Sequence, residues 1–280
     1  MDAVITGASS GIGRACALRL TRAGWRVFAG VRRAQDGEQL RSEAGERLEP
    51  LMIDVVDEQS VRAAAERVQE RTGGTLNGLV NNAGVAVSGP LEFVPLEQWR
   101  RQLEVNVIGQ VAVTQAMLPA LREGRGRIVY MGSVGGRSAT PFIAPYAASK
   151  FALEGIADAL RRELRKWGMW VSIVEPGSID TPIWDKGRKD SRELIDTLAP
   201  EARELYGSDL QAVQRAIEHV AARGLPPERV ADAVFAALTA KRPRARYLIG
   251  REAQGRVLAE SVLSTRAFDA VIARAMGLGR

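Results

Sequence analysis

A glycine-rich turn near the N-terminus places the strongest constraint on what this chain can fold into. Ala3-Val4-Ile5 predicts a short buried strand, the segment 6–13 reads Thr-Gly-Ala-Ser-Ser-Gly-Ile-Gly, and an Ala/Leu-rich helical pattern runs from Arg14 to about Ala23. A strand, a glycine-rich turn and a helix open a dinucleotide-binding unit, in which the backbone approaches a pyrophosphate at a helix N-terminus. A turn without a ligand is the alternative, which three glycines between strand and helix disfavour.

The alternation of strands and helices continues along the chain. Further strands are predicted at 25–31, 51–54, 78–81, 127–131, 170–174 and 246–249, and helices at 58–71, 99–122, 146–167 and 228–240. Short apolar strands without period-two patterning, separated by helices, indicate a parallel sheet covered on both faces. We therefore expect an α/β fold, with a single Rossmann-like, doubly wound sheet of about seven strands over residues 1–250.

Two segments depart from this rhythm. The segment 182–227 is polar at first and then helical in pattern, and an insertion of that length predicts a helical lid or substrate loop. Residues 251–280 predict an amphipathic, basic helical tail packed on the same domain. Docking of this tail on a second subunit and contact with a membrane surface are the alternatives.

Composition narrows the classes of protein. The chain has 280 residues, one cysteine (Cys16) and one histidine (His219), which excludes an internal disulfide framework and disfavours a metal site. No apolar run approaches the roughly 20 residues that span a bilayer, and the N-terminus lacks signal-peptide features, so we expect a cytoplasmic protein. The net charge of +6 favours anionic ligands, but the basic residues are scattered, so nucleic acid is not an expected partner.

A tyrosine and a lysine form the first candidate for chemistry. Tyr146 and Lys150 are four residues apart in a predicted helix, and their side chains therefore share one face. A phenol beside an ammonium group is suited to proton transfer, because the cation pulls the phenol pKa down from about 10. A solvated helix face is the alternative for this pair taken alone.

Several motifs together resemble the short-chain dehydrogenase/reductase family. The glycine spacing Gly-x-x-x-Gly-x-Gly is similar to its signature, and further matches follow in the family's order: Asn81-Asn82-Ala83-Gly84, Asn106, Ser133, Tyr146 with Lys150, and Pro176-Gly177. The resemblance covers residues 1 to about 250. The Val174–Ile179 segment and the long insertion are similar to steroid- and retinol-dehydrogenase-like members.

The resemblance implies hydride transfer between a nicotinamide and a carbonyl or alcohol carbon. That reaction needs a proton donor or acceptor, for which Tyr146 is the candidate, and a group that holds the reacting oxygen, for which Ser133 is the candidate. By resemblance, Lys150 holds the nicotinamide ribose and Asn106 positions a water in a proton relay. Structural roles are the alternatives: Ser133 as a turn cap, and Asn106 as a partner of backbone groups in an irregular helix.

The end of the second strand predicts which nicotinamide cofactor binds. Val31 stands where NAD-preferring members carry an aspartate, and Arg32 and Arg33 follow it. A guanidinium group grips a 2′-phosphate, so NADP(H) is expected, with NAD(H) as the alternative. The predicted cofactor-binding residues are Gly7, Ser9, Ser10, Gly11, Ile12, Gly13, Arg32, Arg33, Asp54, Val55, Asn82, Ala83, Gly84, Tyr146, Lys150, Pro176, Gly177, Ile179 and Thr181.

The expected substrate is a small lipophilic molecule, such as a steroid, a retinoid or a related ketone. The apolar positions of the helices at 99–122 and 146–167 exceed what one sheet face needs, which predicts a homodimer or homotetramer. Two other functions are the alternatives. One is a catalytically silent NADP-binding regulatory or scaffold protein, and the other is a sugar-nucleotide epimerase or dehydratase. The presence of Ser133, Tyr146 and Lys150 together favours the oxidoreductase over the silent binder.

Overall fold

A computed structural model of the chain describes residues 1–181, 200–221 and 224–278, with the backbone alone for 217–221. Within these residues, seven parallel strands form one sheet in the order β3-β2-β1-β4-β5-β6-β7. They are β1 (Asp2–Ile5), β2 (Arg26–Val31), β3 (Leu48–Met52), β4 (Gly78–Asn81), β5 (Arg127–Met131), β6 (Trp170–Pro176) and β7 (Arg246–Ile249). The predicted doubly wound parallel sheet is confirmed.

Helices cover both faces of this sheet. Those described are α1 (Gly11–Arg22), α2 (Ala34–Ala44), α3 (Glu58–Thr72), α4 (Leu96–Leu103), α5 (Gly109–Glu123), α6 (Ala144–Glu163), α7 (Pro200–Ala221), α8 (Glu228–Thr239), α9 (Arg251–Val262) and α10 (Thr265–Ala275). One apolar core joins the sheet to α1 and α8, and a second joins it to α3, α5 and α6. The five inner strands are mostly buried, which explains their continuous apolar runs, whereas the edge strands β3 and β7 are partly exposed.

The strand order places the candidate site. Strand β1 pairs with β2 on one side and β4 on the other, so the chain reverses its direction of winding between β1 and β4. Ligands of such sheets bind outside the carboxyl ends of the strands at this reversal. The glycine-rich turn follows β1 directly and therefore lies at that position.

The structure departs from the sequence predictions at α2, at the helix expected at 99–122 and at β3. Helix α2 was not predicted, because its sequence is mostly polar and only Gly37 and Leu40 are buried. The helix expected at 99–122 consists of α4, a π-helical turn at Glu104–Ile108 and α5. Strand β3 begins at Leu48 rather than 51, since its pairing with β2 extends across Pro50. A proline is tolerated there because β3 is an edge strand.

The expected lid is described only in part. Residues 182–199 and 222–223 lie outside the described residues, and α7 covers most of the remainder. Tyr206 of α7 makes edge-on ring contacts with Phe93 and Phe142, at centroid distances of 5.9 Å and 6.1 Å. Among all described residues, no helix has the length and apolar character needed to cross a membrane.

Candidate active site

A cavity of about 610 Å³ lies at the carboxyl ends of the strands. The segments that follow β1, β2, β3, β4, β5 and β6 all contribute to its wall, together with α4, the π-helical turn and α6. The predicted site residues that line it are Gly7, Ser9, Ser10, Gly11, Ile12, Arg32, Asp54, Val55, Asn82, Ala83, Gly84, Asn106, Ser133, Tyr146, Lys150, Pro176, Gly177, Ile179 and Thr181. Gly13 and Arg33 do not line it.

The glycine-rich turn has a backbone conformation that glycine adopts more readily than other residues do. Gly7 and Gly11 have φ angles of +66° and +54°, in the left-handed region that favours glycine. A Cβ atom on Gly13 would lie 2.3 Å from the carbonyl oxygen of Gly7, so α1 packs directly on the turn. Gly13 therefore supports the turn from behind, while Gly7 and Gly11 face the cavity. This arrangement exposes the backbone of Gly7 and Gly11 to the cavity at the N-terminus of α1, where an anionic group is stabilised.

Thr6 and Asn82 tie the turn to the end of β4. The Thr6 hydroxyl oxygen accepts hydrogen bonds from the backbone N–H groups of Asn82 and Ala83, both at 3.0 Å. The Asn82 amide nitrogen donates to the carbonyl oxygens of Thr6 and Gly7, at 3.0 Å and 3.1 Å. Asn82 thus has a structural role, and it also lines the cavity as a predicted cofactor-binding residue.

The two arginines after β2 have different surroundings. Arg33 makes two hydrogen bonds to Asp36, at 2.9 Å and 2.8 Å, and lies outside the cavity. Arg32 lines the cavity, and no hydrogen bond or ion pair joins it to another residue in the part of the chain that is described. Arg32 is therefore the cation of this pair that is available to an anionic ligand.

Ser133 and Tyr146 meet across the cavity. Ser133 follows β5 and caps a short 3-10 turn, where its hydroxyl oxygen accepts a 3.0 Å hydrogen bond from Gly135 N–H. Tyr146 lies in the first turn of α6, and its phenol hydrogen-bonds to Ser133. Burial raises the pKa of Tyr146, while this hydrogen bond lowers it, and burial is the larger effect. The predicted downward pKa shift is therefore wrong for these side chains: desolvation dominates.

Lys150 is buried one turn after Tyr146. Its ammonium nitrogen lies 5.6 Å from the centre of the Tyr146 ring and donates a 2.7 Å hydrogen bond to the carbonyl oxygen of Met131. Burial lowers the pKa of Lys150 to about 8. The amine therefore changes its charge near physiological pH, which is unusual for lysine. The phenol, the hydroxyl and the amine together can hold an oxygen atom and exchange a proton with it.

A model of the short chain dehydrogenase family matches residues 2–192 of the chain. The chain belongs to the short-chain dehydrogenase/reductase family. It is 38% identical over 253 residues to an NADPH-dependent 3-dehydrocapnine reductase from Ornithobacterium rhinotracheale, covering 88% of this chain and 87% of the relative. It is 39% identical over 278 residues to retinol dehydrogenase 5 from Mus musculus, covering 96% and 86%. A short-chain dehydrogenase from Burkholderia cenocepacia, solved with NADP, superposes with a TM-score of 0.73 at 28% identity, covering 97% and 96%.

In this short-chain dehydrogenase/reductase, Asn106 lies in the π-helical turn between α4 and α5 and is fully buried. Its side-chain oxygen accepts from Val85 N–H at 2.8 Å, and its amide donates to Val85 O at 3.0 Å and to Ser149 Oγ at 3.1 Å. Ser149 Oγ in turn donates to the carbonyl oxygen of Tyr146 at 2.7 Å. Asn106 therefore connects the segment after β4 to the helix that carries Tyr146.

Sequence reasoning missed a set of cavity residues on this short-chain dehydrogenase/reductase. They are Gly30, Val31, Ile53, Val56, Val85, Arg101, Glu104, Val105, Met131 and Gly132. Most are sequence neighbours of predicted residues, so extending each motif by one position would have found them. Arg101 and Glu104 carry no such signal, because tertiary packing alone brings the end of α4 to the cavity.

Proposed function

We propose that this protein is an NADP(H)-dependent oxidoreductase that transfers a hydride between nicotinamide and a carbonyl or secondary alcohol carbon of a lipophilic substrate. The observation that carries the proposal is the meeting of Ser133, Tyr146 and Lys150 in the cavity that also holds the glycine-rich turn. The relatives with reductase and retinol dehydrogenase names support the same class of reaction on a CH–OH group.

The residues of the cavity fit a nicotinamide dinucleotide. The turn at Gly7 and Gly11 would hold the pyrophosphate on backbone N–H groups, since neither glycine has a side chain of its own and both line the cavity. Arg32 would bind the 2′-phosphate of NADP(H), which supports NADP(H) over NAD(H). The remaining contacts would come from Asp54 and Val55 at the adenine side and from the Pro176–Thr181 segment at the nicotinamide side.

When bound, a reduced nicotinamide supplies the hydride. The chain's own residues then manage the oxygen of the substrate: Ser133 Oγ holds it by a hydrogen bond, and Tyr146 Oη donates a proton to it. The raised pKa of Tyr146 keeps the phenol protonated at neutral pH, which suits reduction of a carbonyl group. Lys150, which is held by Met131 O, would contact the ribose hydroxyls and assist the phenol with its charge.

Asn106 would act through other residues. Its three hydrogen bonds to Val85 and Ser149 fix the start of α6, and therefore the position of Tyr146. The π-helical turn around it supports a functional role, since such turns occur frequently at functional sites. We propose that Asn106 positions the proton route and the lysine rather than exchanging a proton itself.

The region around α7 supports a lipophilic substrate. Ala202 and Leu210 of α7 are buried and pack with Tyr206, Phe93 and Phe142, which makes an apolar wall next to the start of α6. We propose that the 182–227 segment forms the substrate lid. The apolar residues Trp184, Leu194, Ile195 and Leu198, which the sequence places in this segment, lie outside the described residues.

We propose that residues 1–250 and the tail form one domain. Arg256 of α9 donates a 2.9 Å hydrogen bond to Ser138 Oγ. Ala253 of α9 lies close to Gly177, because a Cβ atom on Gly177 would be 3.0 Å from Ala253 Cβ. The tail therefore contacts the loops that follow β5 and β6.

A cytoplasmic location is supported by Cys16, which is a buried free thiol. A homodimer or homotetramer is supported by large exposed apolar side chains on α4, the π-helical turn and α6, namely Leu96, Ile108 and Phe151.

The proposal is tested by following NADPH and NADH oxidation with a panel of retinoids, steroids, aldehydes and ketoacyl compounds. We expect turnover with at least one lipophilic carbonyl and a lower Michaelis constant for NADPH than for NADH. Binding of NADPH without turnover on any of these compounds would instead favour the catalytically silent binder. A clear preference for NADH would contradict the role of Arg32.

A further inference from the structure

Two buried carboxyl groups face each other behind the candidate active site. Glu154 lies on α6 one turn after Lys150, and Glu175 lies on β6 immediately before Pro176. Glu154 is 9% exposed and Glu175 is 1% exposed. Arg246 of β7 reaches both, because its Nε lies 3.0 Å from Glu154 Oε2 and 3.5 Å from Glu175 Oε1. The two acidic side chains are therefore neighbours, although they come from different elements.

The other charged groups around this pair lie on its outer side. Arg137, from the segment after β5, approaches Glu175 Oε1 at 3.4 Å. Asp158, one turn beyond Glu154 on α6, binds Arg246 at 3.0 Å and Arg161 at 2.5 Å. Lys150 directs its ammonium group to a backbone carbonyl instead. The cations thus contact one oxygen of each glutamate, Glu154 Oε2 and Glu175 Oε1.

The second oxygen of each carboxyl group is its inner oxygen. Glu154 Oε1 and Glu175 Oε2 are buried and have no hydrogen-bond donor among the described residues. The two carboxyl groups nevertheless lie side by side, because Arg246 Nε contacts one oxygen of each, and the interaction with Glu175 is among the causes that raise the pKa of Glu154. Ionised carboxylate oxygens only accept hydrogen bonds, and two of them repel each other strongly away from water. A stable contact therefore requires a proton on one of the two groups.

We propose that Glu154 and Glu175 share one proton, and that this shared proton positions α6 against the end of β6. Both elements contribute to the cavity: α6 carries Tyr146 and Lys150, and β6 ends at Pro176 before Gly177. Loss of the proton leaves two facing carboxylates whose repulsion separates the elements. The glutamates are positioning residues, since neither of them lines the cavity.

The direction of the pH effect follows from the same contacts. Burial, the hydrogen bond to Glu175 and the charge of Glu175 raise the pKa of Glu154 from 4.5 to about 7, against the opposing effect of Arg246. A carboxyl group whose pKa is higher in the folded state stabilises the fold fully below its unfolded pKa. This contribution is lost as the pH rises through about 7. The folded protein should therefore lose stability as the pH rises from about 4.5 to about 7.

Glu154→Gln tests the shared proton directly, because the amide donates permanently to Glu175 at any pH. Thermal unfolding of the wild type and of this variant is compared across that pH range. We expect the wild-type Tm to fall by several degrees more than that of the variant. Asp158→Asn is the matched control: it also removes a carboxylate partner of Arg246, but it leaves the inner oxygens intact and should keep the wild-type slope. If the Tm of the wild type and the Tm of Glu154→Gln change equally with pH, the proposal is overturned.

Two further measurements guard against a variant that fails to fold. Glu175→Gln makes the same substitution at the other member of the pair, and its Tm should likewise fall less with rising pH than that of the wild type. Infrared titration of the wild type alone should show a buried protonated carboxyl band that disappears as the pH rises through neutrality. Absence of this band at mildly acidic pH would also overturn the shared proton.

Hydrogen exchange tests the positioning claim without a cofactor. At mildly alkaline pH, amides of α6 and of the end of β6 should exchange faster in the wild type than in Glu154→Gln, whereas both proteins should be equally protected at acidic pH. Equal protection at both pH values would contradict positioning. Because no readout involves turnover or nicotinamide, failure of the proposed oxidoreductase function would leave these outcomes unaffected.

Discussion

Lys150 Nζ lies 5.6 Å from the centre of the Tyr146 ring and donates a 2.7 Å hydrogen bond to the carbonyl oxygen of Met131. Met131 is the last residue of β5, and Ser133 follows two residues later. The lysine therefore ties the helix that carries the phenol to the strand that leads to the hydroxyl. This relationship explains how three side chains from two successive elements hold one geometry.

Replacing Lys150 by methionine should change how stability depends on pH. Because the pKa of Lys150 is lowered from 10.5 to about 8, its buried charge destabilises the fold in full below pH 8, and the penalty vanishes as the pH rises toward 10.5. The stability of Lys150→Met relative to wild type should therefore be highest at neutral pH, and decline by about 3 kcal/mol toward alkaline pH.

Urea denaturation at neutral and at alkaline pH measures this difference in the free energy of unfolding. Lys166→Met, at an exposed lysine, serves as the control and should show no such change. If the free energies of unfolding of Lys150→Met and the wild type differ by the same amount at both pH values, burial does not lower the pKa of Lys150.

Arg32→Ala should weaken NADPH binding by roughly 10-fold to 100-fold, since a charge-assisted hydrogen bond contributes about 1.5–3 kcal/mol. The affinity for NADH should change little, because NADH has no 2′-phosphate. Arg33→Ala is the matched control: Arg33 is bound to Asp36 and lies outside the cavity. Fluorescence titration of the wild type and both variants with NADPH and with NADH measures these affinities. An equal loss for NADPH and NADH, or an equal loss in both variants, would refute the assignment of Arg32.

Gly13→Ala should destabilise the protein and weaken NADPH binding, because the added Cβ would lie 2.3 Å from a backbone oxygen that cannot move freely. Overpacking of this kind costs roughly 1–3 kcal/mol. Gly155→Ala is the control on α6, where an added Cβ meets no atom within 4 Å. It should stabilise the fold by about 1 kcal/mol through helix propensity. Denaturation curves of both variants measure these changes in stability. Equal stability of Gly13→Ala and Gly155→Ala would contradict the tight packing at Gly13.

The fold could be predicted from sequence because its signals are local. The predicted bounds of β4, β5 and β7 agree with the structure, since each is a short apolar run between turn residues. Helix α2 escaped prediction because it buries too few side chains to show a periodic apolar stripe. The π-helical turn escaped because its extra residue per turn leaves no mark in an apolar pattern that continues across it.

The site was only partly predictable for a related reason. Motifs identify which residues gather at a strand end, but not their environment. The pKa of Tyr146 depends on burial by the surrounding tertiary structure, which no motif encodes. The engagement of Arg33 did have a local signal, because Asp36 is an acid three residues later. The Glu154–Glu175 contact had none, since the two residues come from separate elements.

The central claim is that Tyr146 donates the proton in a hydride-transfer reaction. The most direct test is the turnover number of Tyr146→Phe on a carbonyl substrate found for the wild type, measured together with its NADPH affinity. Tyr247→Phe, which removes a phenol hydroxyl outside the cavity, is the control and should keep the wild-type rate. We expect wild-type NADPH affinity for Tyr146→Phe, with a loss of turnover of about 10²-fold to 10⁴-fold. Turnover at the wild-type rate would contradict it.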